Sequence, residues 1–144
     1  GPVDQIDKSV ELLKQNNIKK IVKLNVSGAF HSPLMREANV SLNKVINSVN
    51  FKDSNFALYQ NVYPNKIFDG KKIKENLKSQ LCGSVNWLQI IKNMKINNID
   101  TIFEIGPKNV LSKLIKKIEP SIVVKSLDKI SDLVDAGFSI GIKK

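Results

Sequence analysis

Two side chains stand out as able to do acid–base or nucleophilic chemistry at neutral pH, and each occurs once: His31 is the only histidine in the chain and Cys82 the only cysteine. His31 lies in the segment Ser27-Gly28-Ala29-Phe30-His31-Ser32-Pro33-Leu34-Met35. Ser32 supplies an N-cap hydroxyl and Pro33 a residue preset for the first helical position, so a helix is predicted to start directly behind the histidine. The partial positive charge at a helix N-terminus disfavours a protonated imidazole, and a neutral imidazole can act as a base. On spacing alone, a lone histidine beside a capping serine serves equally well as a plain turn residue. Cys82 has no second histidine or basic cluster beside it in sequence and reads as inert. One cysteine excludes an internal disulfide and cannot by itself build a thiolate zinc site, so no metal is expected.

The elements that must position His31 follow from periodicity. Val22, Leu24 and Val26 alternate with Lys23, Asn25 and Ser27, which predicts a half-buried strand over 18–26 that Gly28 ends. Before it, Ile6, Val10 and Leu13 mark an amphipathic helix over 4–16. Behind Pro33, Leu34, Ala38, Leu42, Val45, Ile46 and Val49 recur every three or four residues, predicting a helix buried along that face and holding the histidine loop rigidly.

Further on, 56–62 reads as a buried strand, 63–65 as the turn that leaves it, and Ile73, Leu77 and Leu81 as a helix closing at Cys82-Gly83. Ser84 can cap a helix with Val85, Leu88, Ile91 and Met94 in one stripe and Trp87 beside it. Residues 101–105 form a short apolar run ended by Gly106-Pro107, as in a strand of a mostly parallel sheet. Asn109 can cap a helix with Val110, Leu111, Leu114, Ile115 and Ile118 inward, which Pro120 stops. A strand over 122–127 and a short helix over 130–134 complete the reading. Alternating helices and short strands predict an α/β fold.

Several of these segments, in this order, carry a resemblance. Ser27 to Met35 is similar to the active-site histidine motif of the malonyl-CoA:acyl carrier protein transacylases, the FabD-type acyltransferases of fatty-acid synthesis. Gln80-Leu81, Val85-Asn86-Trp87, Phe103-Glu104-Ile105-Gly106-Pro107 and Val110-Leu111 continue the same family pattern. The resemblance covers nearly the whole chain but only about the C-terminal half of the family's usual length. It implies a C-terminal part of a hydrolase-like acyltransferase subdomain at 28–144, preceded at 3–27 by the last helix and strand of a ferredoxin-like small subdomain. Residues 1–2 read as a tag remnant.

The resemblance also implies roles. His31 would be the catalytic base, and the main-chain carbonyl of Gln80 would hold its other ring nitrogen and so fix the tautomer. Asn61 would lie near the active site. Phe30, before the histidine, resembles the malonyl-selecting version of the wider superfamily, which includes the polyketide synthases. The Gly-His-Ser-Leu-Gly element that carries the acyl group in the family is not found, and the only arginine, Arg36, is not where the family's carboxylate-binding arginine lies. The chain is therefore expected to supply the histidine half of malonyl transfer from malonyl-CoA to acyl carrier protein, with a complementary N-terminal half bringing the serine. Alternatives are a noncatalytic fragment that only docks to that half, and a fragment of a polyketide-type acyltransferase. Lys108 stands where the family has a glycine, which puts any tight backbone conformation there in question.

Composition bounds the rest. With 144 residues, 42% of them hydrophobic, the chain has material for one core. No apolar run approaches a membrane span and no signal-peptide pattern is present, so neither a membrane nor secretion is expected. A reducing compartment, cytoplasm or plastid stroma, fits a single cysteine. Lys and Arg number 23 against 13 acidic residues, a formal charge of +10. The lysines are spread through every segment with few aromatics between them, which argues against nucleic acid. An acidic acyl carrier protein, bringing its own phosphopantetheine, is the partner that this charge and the resemblance suggest; no other cofactor is expected.

Overall fold

Strand β3 (Thr101–Ile105) and strand β4 (Val123–Leu127) run parallel, in register from Thr101 opposite Val123 to Ile105 opposite Leu127. A parallel pair needs a crossover, and helix α5 (Val110–Ile118) supplies it. In the computed structural model, which describes residues 1–138, the chain divides into two compact units, Gly1–Asn86 and Trp87–Lys144. The parallel pair belongs to the second. There Ile91, Ile115 and Ile122 form a core cluster, with Trp87, Met94, Ile102, Ile118 and Val124 packed around it. Ile91 comes from helix α4 (Trp87–Ile96), and helix α6 (Ile130–Asp135) packs beside β4. The chain is α/β, as its element pattern predicts.

Two stripes in this unit differ from expectation. Helix α4 starts at Trp87, so Val85 lies before it; within the helix Ile90 and Ile91 are buried while Leu88 is exposed, and the inward face is Trp87, Ile90, Ile91 and Met94. In α5, Ser112 and Ile115 are buried and Val110, Leu111 and Leu114 face outward. Asn109 occupies the N-cap position but makes no side-chain cap. The cap comes from β3 instead. The Glu104 carboxylate accepts the main-chain N–H of Leu111 (2.9 Å) and of Ser112 (2.8 Å) and the Ser112 hydroxyl. The Ser112 hydroxyl lies 2.8 Å from that of Ser126 on β4, so one carboxylate ties both strands to the helix. The Ser112 hydroxyl bond holds Glu104 below its ordinary carboxylate range, with the two N–H bonds acting in the same direction.

Lys108 adopts a left-handed backbone, φ 74°. The conformation that glycine favours is thus present here without the glycine, at a cost of about 1–2 kcal/mol for a residue with a Cβ.

The first unit opens with helix α1 (Val3–Gln15), whose first turn is closed by the Pro2 carbonyl accepting the N–H groups of Gln5 and Ile6. The expected strand over 18–26 does not form. The alternating residues Val22, Leu24 and Val26 are 70%, 74% and 64% exposed. The two antiparallel strands of this unit, β1 (Leu58–Gln60) and β2 (Tyr63–Ile67), pair with each other, so the 18–26 stretch has no strand beside it among the described residues. An alternating pattern without a ladder to join forms no strand.

The predicted turn over 63–65 is also corrected, because Tyr63, Pro64 and Asn65 are the start of β2 and the turn is Asn61-Val62. Pro64 is tolerated because both strands of a two-stranded sheet are edges.

After Phe30 the chain makes a 3-10 turn, Pro33–Met35, and then helix α2 (Arg36–Ser48). Of the predicted face of α2, only Ile46 is buried. Ile46 is buried and Met35, Asn39 and Asn43 are partly so, while Leu34, Ala38, Leu42, Val45 and Val49 lie exposed along the adjacent stripe. The element packed on α2 is helix α3 (Gly70–Gln80), and it covers only one side. Lys74 of α3 donates to the Asn47 and Val49 carbonyls at the end of α2, at 3.0 and 2.9 Å.

Helix α3 is fixed at its start by two carboxylates. Asp69 accepts the Lys72 N–H at 2.7 Å and Asp53 the Gly70 N–H at 2.8 Å. Residue 70 must be glycine on grounds of space, since a Cβ would stand 2.6 Å from the Lys52 carbonyl carbon.

Candidate active site

His31 is held from both its ring and its backbone by the end of α3. Its Nδ1 lies 3.1 Å from the Gln80 carbonyl oxygen, and its main-chain N–H donates to the Leu81 carbonyl at 2.9 Å. A carbonyl can only accept, so this geometry requires a proton on Nδ1, and in the neutral ring that leaves Nε2 with a free lone pair. The side chain is exposed, which leaves Nε2 open to a reactant.

The loop around the ring is closed locally. The Ser32 hydroxyl donates to the Ala29 carbonyl (2.7 Å) and accepts the Leu34 N–H (3.3 Å), capping the 3-10 turn as the sequence predicts. His31 itself has φ 61°, a left-handed conformation that nothing in its sequence signals. Such a backbone costs a residue with a Cβ free energy and persists only where surrounding bonds over-determine it; the two carbonyls of α3 are such bonds.

The other residues singled out in the sequence are placed differently. Phe30 precedes the imidazole and is exposed, lining a cavity of about 500 Å³ with Ile6 and Val10 of α1 and Val22, Leu24 and Val26. Asn61 is bound through its main chain: its carbonyl accepts the Asn86 N–H at 2.8 Å. No hydrogen bond joins Asn61 to the imidazole among the described residues. Cys82 is a free, half-buried thiol two residues after Gln80, its N–H turned to the Ser79 carbonyl.

Among the described residues no group of three His, Cys, Asp or Glu side chains is placed to hold a metal ion. No helix among them is long and apolar enough to cross a membrane.

Although the family's Gly-His-Ser-Leu-Gly element is missing, the sequence does contain one Gly-x-Ser-x-Gly spacing. Gly137-Phe138-Ser139-Ile140-Gly141 has the Gly-x-Ser-x-Gly spacing, without the family's histidine and leucine. A nucleophile elbow of that spacing sits on a strand-to-helix turn, whereas helix α6 precedes this one. Ser139 lies outside the described residues.

The first unit thus presents one exposed imidazole held in place by two main-chain carbonyls. Proteins of known name share the sequence around it. The malonyl CoA-acyl carrier protein transacylase of Bacillus subtilis (strain 168) is 35% identical over 118 residues, 82% of this chain and 37% of that protein. The transacylase of Staphylococcus aureus (strain MSSA476) is 34% identical over 128 residues, 89% of this chain and 42% of that one.

Solved structures agree. MCAT from Streptococcus pneumoniae superposes with a TM-score of 0.86 at 30% identity over 94% of this chain and 44% of its own. The Malonyl-CoA: ACP Transacylase of Synechocystis sp. PCC 6803 gives 0.81 at 31%, over 89% and 44%. No family model matches the chain. In sequence and fold the chain is related to the malonyl CoA-acyl carrier protein transacylases, and it spans about two fifths of the length of the relatives it matches.

Proposed function

We propose that this chain carries the general-base part of a transferase that moves a malonyl group from malonyl-CoA to the thiol of acyl carrier protein. The observation that carries the reading is the Nδ1 contact of His31 with the Gln80 carbonyl, which leaves Nε2 as a proton acceptor. In the first half-reaction a serine hydroxyl on a segment other than these residues attacks the malonyl thioester carbon. Nε2 takes the hydroxyl proton, the C–S bond breaks, and the proton passes to the departing CoA thiolate. In the second, the phosphopantetheine thiol of the carrier protein gives its proton to Nε2 and attacks the acyl-serine ester, and the serine oxygen recovers the proton. The carbonyl fills the place that a carboxylate takes in a Ser-His-Asp triad, holding the tautomer without carrying charge.

Phe30, next to the base, suits a malonyl group by crowding a branch on the carbon beside the thioester, the selection expected of this step in fatty-acid synthesis, or in a polyketide-type acyltransferase that uses malonyl units. The small-subdomain assignment of 3–27 and the large-subdomain assignment of 28–144 belong to the same reading, as does a cytoplasmic or stromal location. The +10 charge suits an acidic carrier protein, and Lys113, Lys116 and Lys117 of α5 stand exposed to meet one.

A second reading, a noncatalytic piece that docks to a complementary N-terminal half, is favoured by the exposed apolar stripe of α2. Brief exposure to malonyl-CoA followed by denaturing intact-mass analysis separates the two. The catalytic reading expects malonyl on the serine-bearing polypeptide, none on this chain, and loss of transfer to carrier protein on His31→Ala. Transfer undiminished in that variant, or malonyl found on Ser139, contradicts it.

A further inference from the structure

We propose that Gly83 and Val62 are positioning residues for His31, setting from behind the place of the two carbonyls that hold it. The inference rests on the reading of His31 as the base, but its observations are separate. Gln80 and Leu81, which supply those carbonyls, end α3, and the chain then turns sharply: the Gly83 N–H donates to the Ser79 carbonyl at 2.9 Å and that of Cys82 at 3.3 Å.

The turn rests on the β1–β2 connection. Asn61 accepts the Asn86 N–H at 2.8 Å, and the Val62 carbonyl lies 3.4 Å from the Asn86 side-chain amide. Between the two segments, Gly83 sits against Val62. A Cβ on Gly83 would stand 2.6 Å from Val62 Cγ1 and 3.0 Å from the Ser79 carbonyl oxygen. Its φ is not in the left-handed region, so the position asks for absence of bulk and not for backbone freedom.

A side chain at 83 must therefore push the end of α3 away from Val62, and the Gln80 and Leu81 carbonyls travel with it. Val62 is β-branched and stiff at χ1, which makes it a poor surface to yield. His31, with φ 61°, depends on both carbonyls to hold its backbone and its tautomer. Asn61 acts here through its main chain, as part of the floor beneath the turn and not as a contact to substrate.

The test uses the whole chain, in which a single histidine gives one imidazole signal set. Gly83→Ala is expected to speed hydrogen exchange at the His31 amide about tenfold or more, the scale of an overpacking penalty, and to populate the Nε2–H tautomer in imidazole 15N spectra. Adding Val62→Ala to Gly83→Ala is expected to restore most of both, because it removes the nearer of the two atoms the new Cβ meets and leaves only the Ser79 carbonyl oxygen at 3.0 Å. Val62→Ile, pressing from the other side, should act in the same direction more weakly, and it carries the test if Gly83→Ala does not fold.

A purely structural role would lower the melting temperature and leave one Nδ1–H tautomer in every variant that folds. That outcome, or no rescue by Val62→Ala, overturns the proposal. These readouts do not involve acyl transfer. If the spectra behave as expected while His31→Ala retains transfer, the positioning stands and the catalytic reading falls.

Discussion

Two stretches of this chain read as strands in sequence and reach different ends. Val123 to Leu127 lies beside Thr101–Ile105 in a parallel pair, with Leu127 and the preceding Ile122 buried. Ile18 to Val26, which alternates from Val22 onward, has no strand partner among the described residues and leaves Val22, Leu24 and Val26 open to water. Period-2 alternation says which side chains would share a face. A strand also needs backbone groups to bond and a surface to bury against, and both are tertiary facts. A β-α-β unit whose crossover helix is present carries its own partner. A helix followed by one strand does not.

The contrast can be sharpened by large-to-small substitutions. Ile115→Ala, in the core cluster under β4, is expected to destabilise the unit from Trp87 onward by about 2–5 kcal/mol, as for buried aliphatic truncations in general. Leu24→Ala, in the unpaired stretch, should stay within about 0.5 kcal/mol. Chemical denaturation of the two variants measures both. If Leu24→Ala costs as much as Ile115→Ala, the 18–26 stretch is buried in solution and the comparison is wrong.

A smaller effect separates the same regions by pH. Glu104, Glu119 and Asp132 are the carboxylates held below their ordinary range, by the Ser112 hydroxyl, the Ser121 hydroxyl and the Lys129 N–H respectively, and all lie beyond Trp87. A lowered folded-state pKa gives stability that is complete above the unfolded value and is lost as pH falls through the folded one. Melting temperature should therefore drop on acidification below the ordinary glutamate value of 4.5, and Glu104→Gln should flatten part of that drop. An unchanged acid limb in Glu104→Gln would mean that the cap over α5 contributes little.

Much of the fold was legible because helices declare themselves locally. α1, α2, α3, α5 and α6 fall within a few residues of where Ile6, Ala38, Ile73, Ile115 and Ile130 place them, and the Thr101 and Val123 strands lie where short apolar runs end in turn residues. What could not be read is which stripe of a helix finds a neighbour. In α2 the partly buried stripe carries Asn39 and Asn43, whose side-chain oxygens lack a partner, while the apolar stripe beside it faces solvent. A pattern records the apolar face, and the fold decides how much of it is covered.

The site was legible through its motif rather than through physical pattern. Ser32 and Pro33 announced the turn behind His31, but its left-handed backbone, the Leu81 carbonyl on its N–H and the space kept by Gly83 have no local signature. Glu104 as the cap of α5 was hidden for the same reason: the helix it caps begins six residues later in sequence, and only the crossover brings them together.

In the neutral ring, the Gln80 carbonyl fixes His31 with its proton on Nδ1 and its lone pair on Nε2. Long-range 1H–15N correlation of the single imidazole, recorded on the uniformly labelled chain at a pH where the ring is neutral, tests it directly. The expected spectrum shows one species with a protonated Nδ1 and a bare Nε2. A ring protonated on Nε2, or an even mixture of tautomers as in a free imidazole, would contradict it.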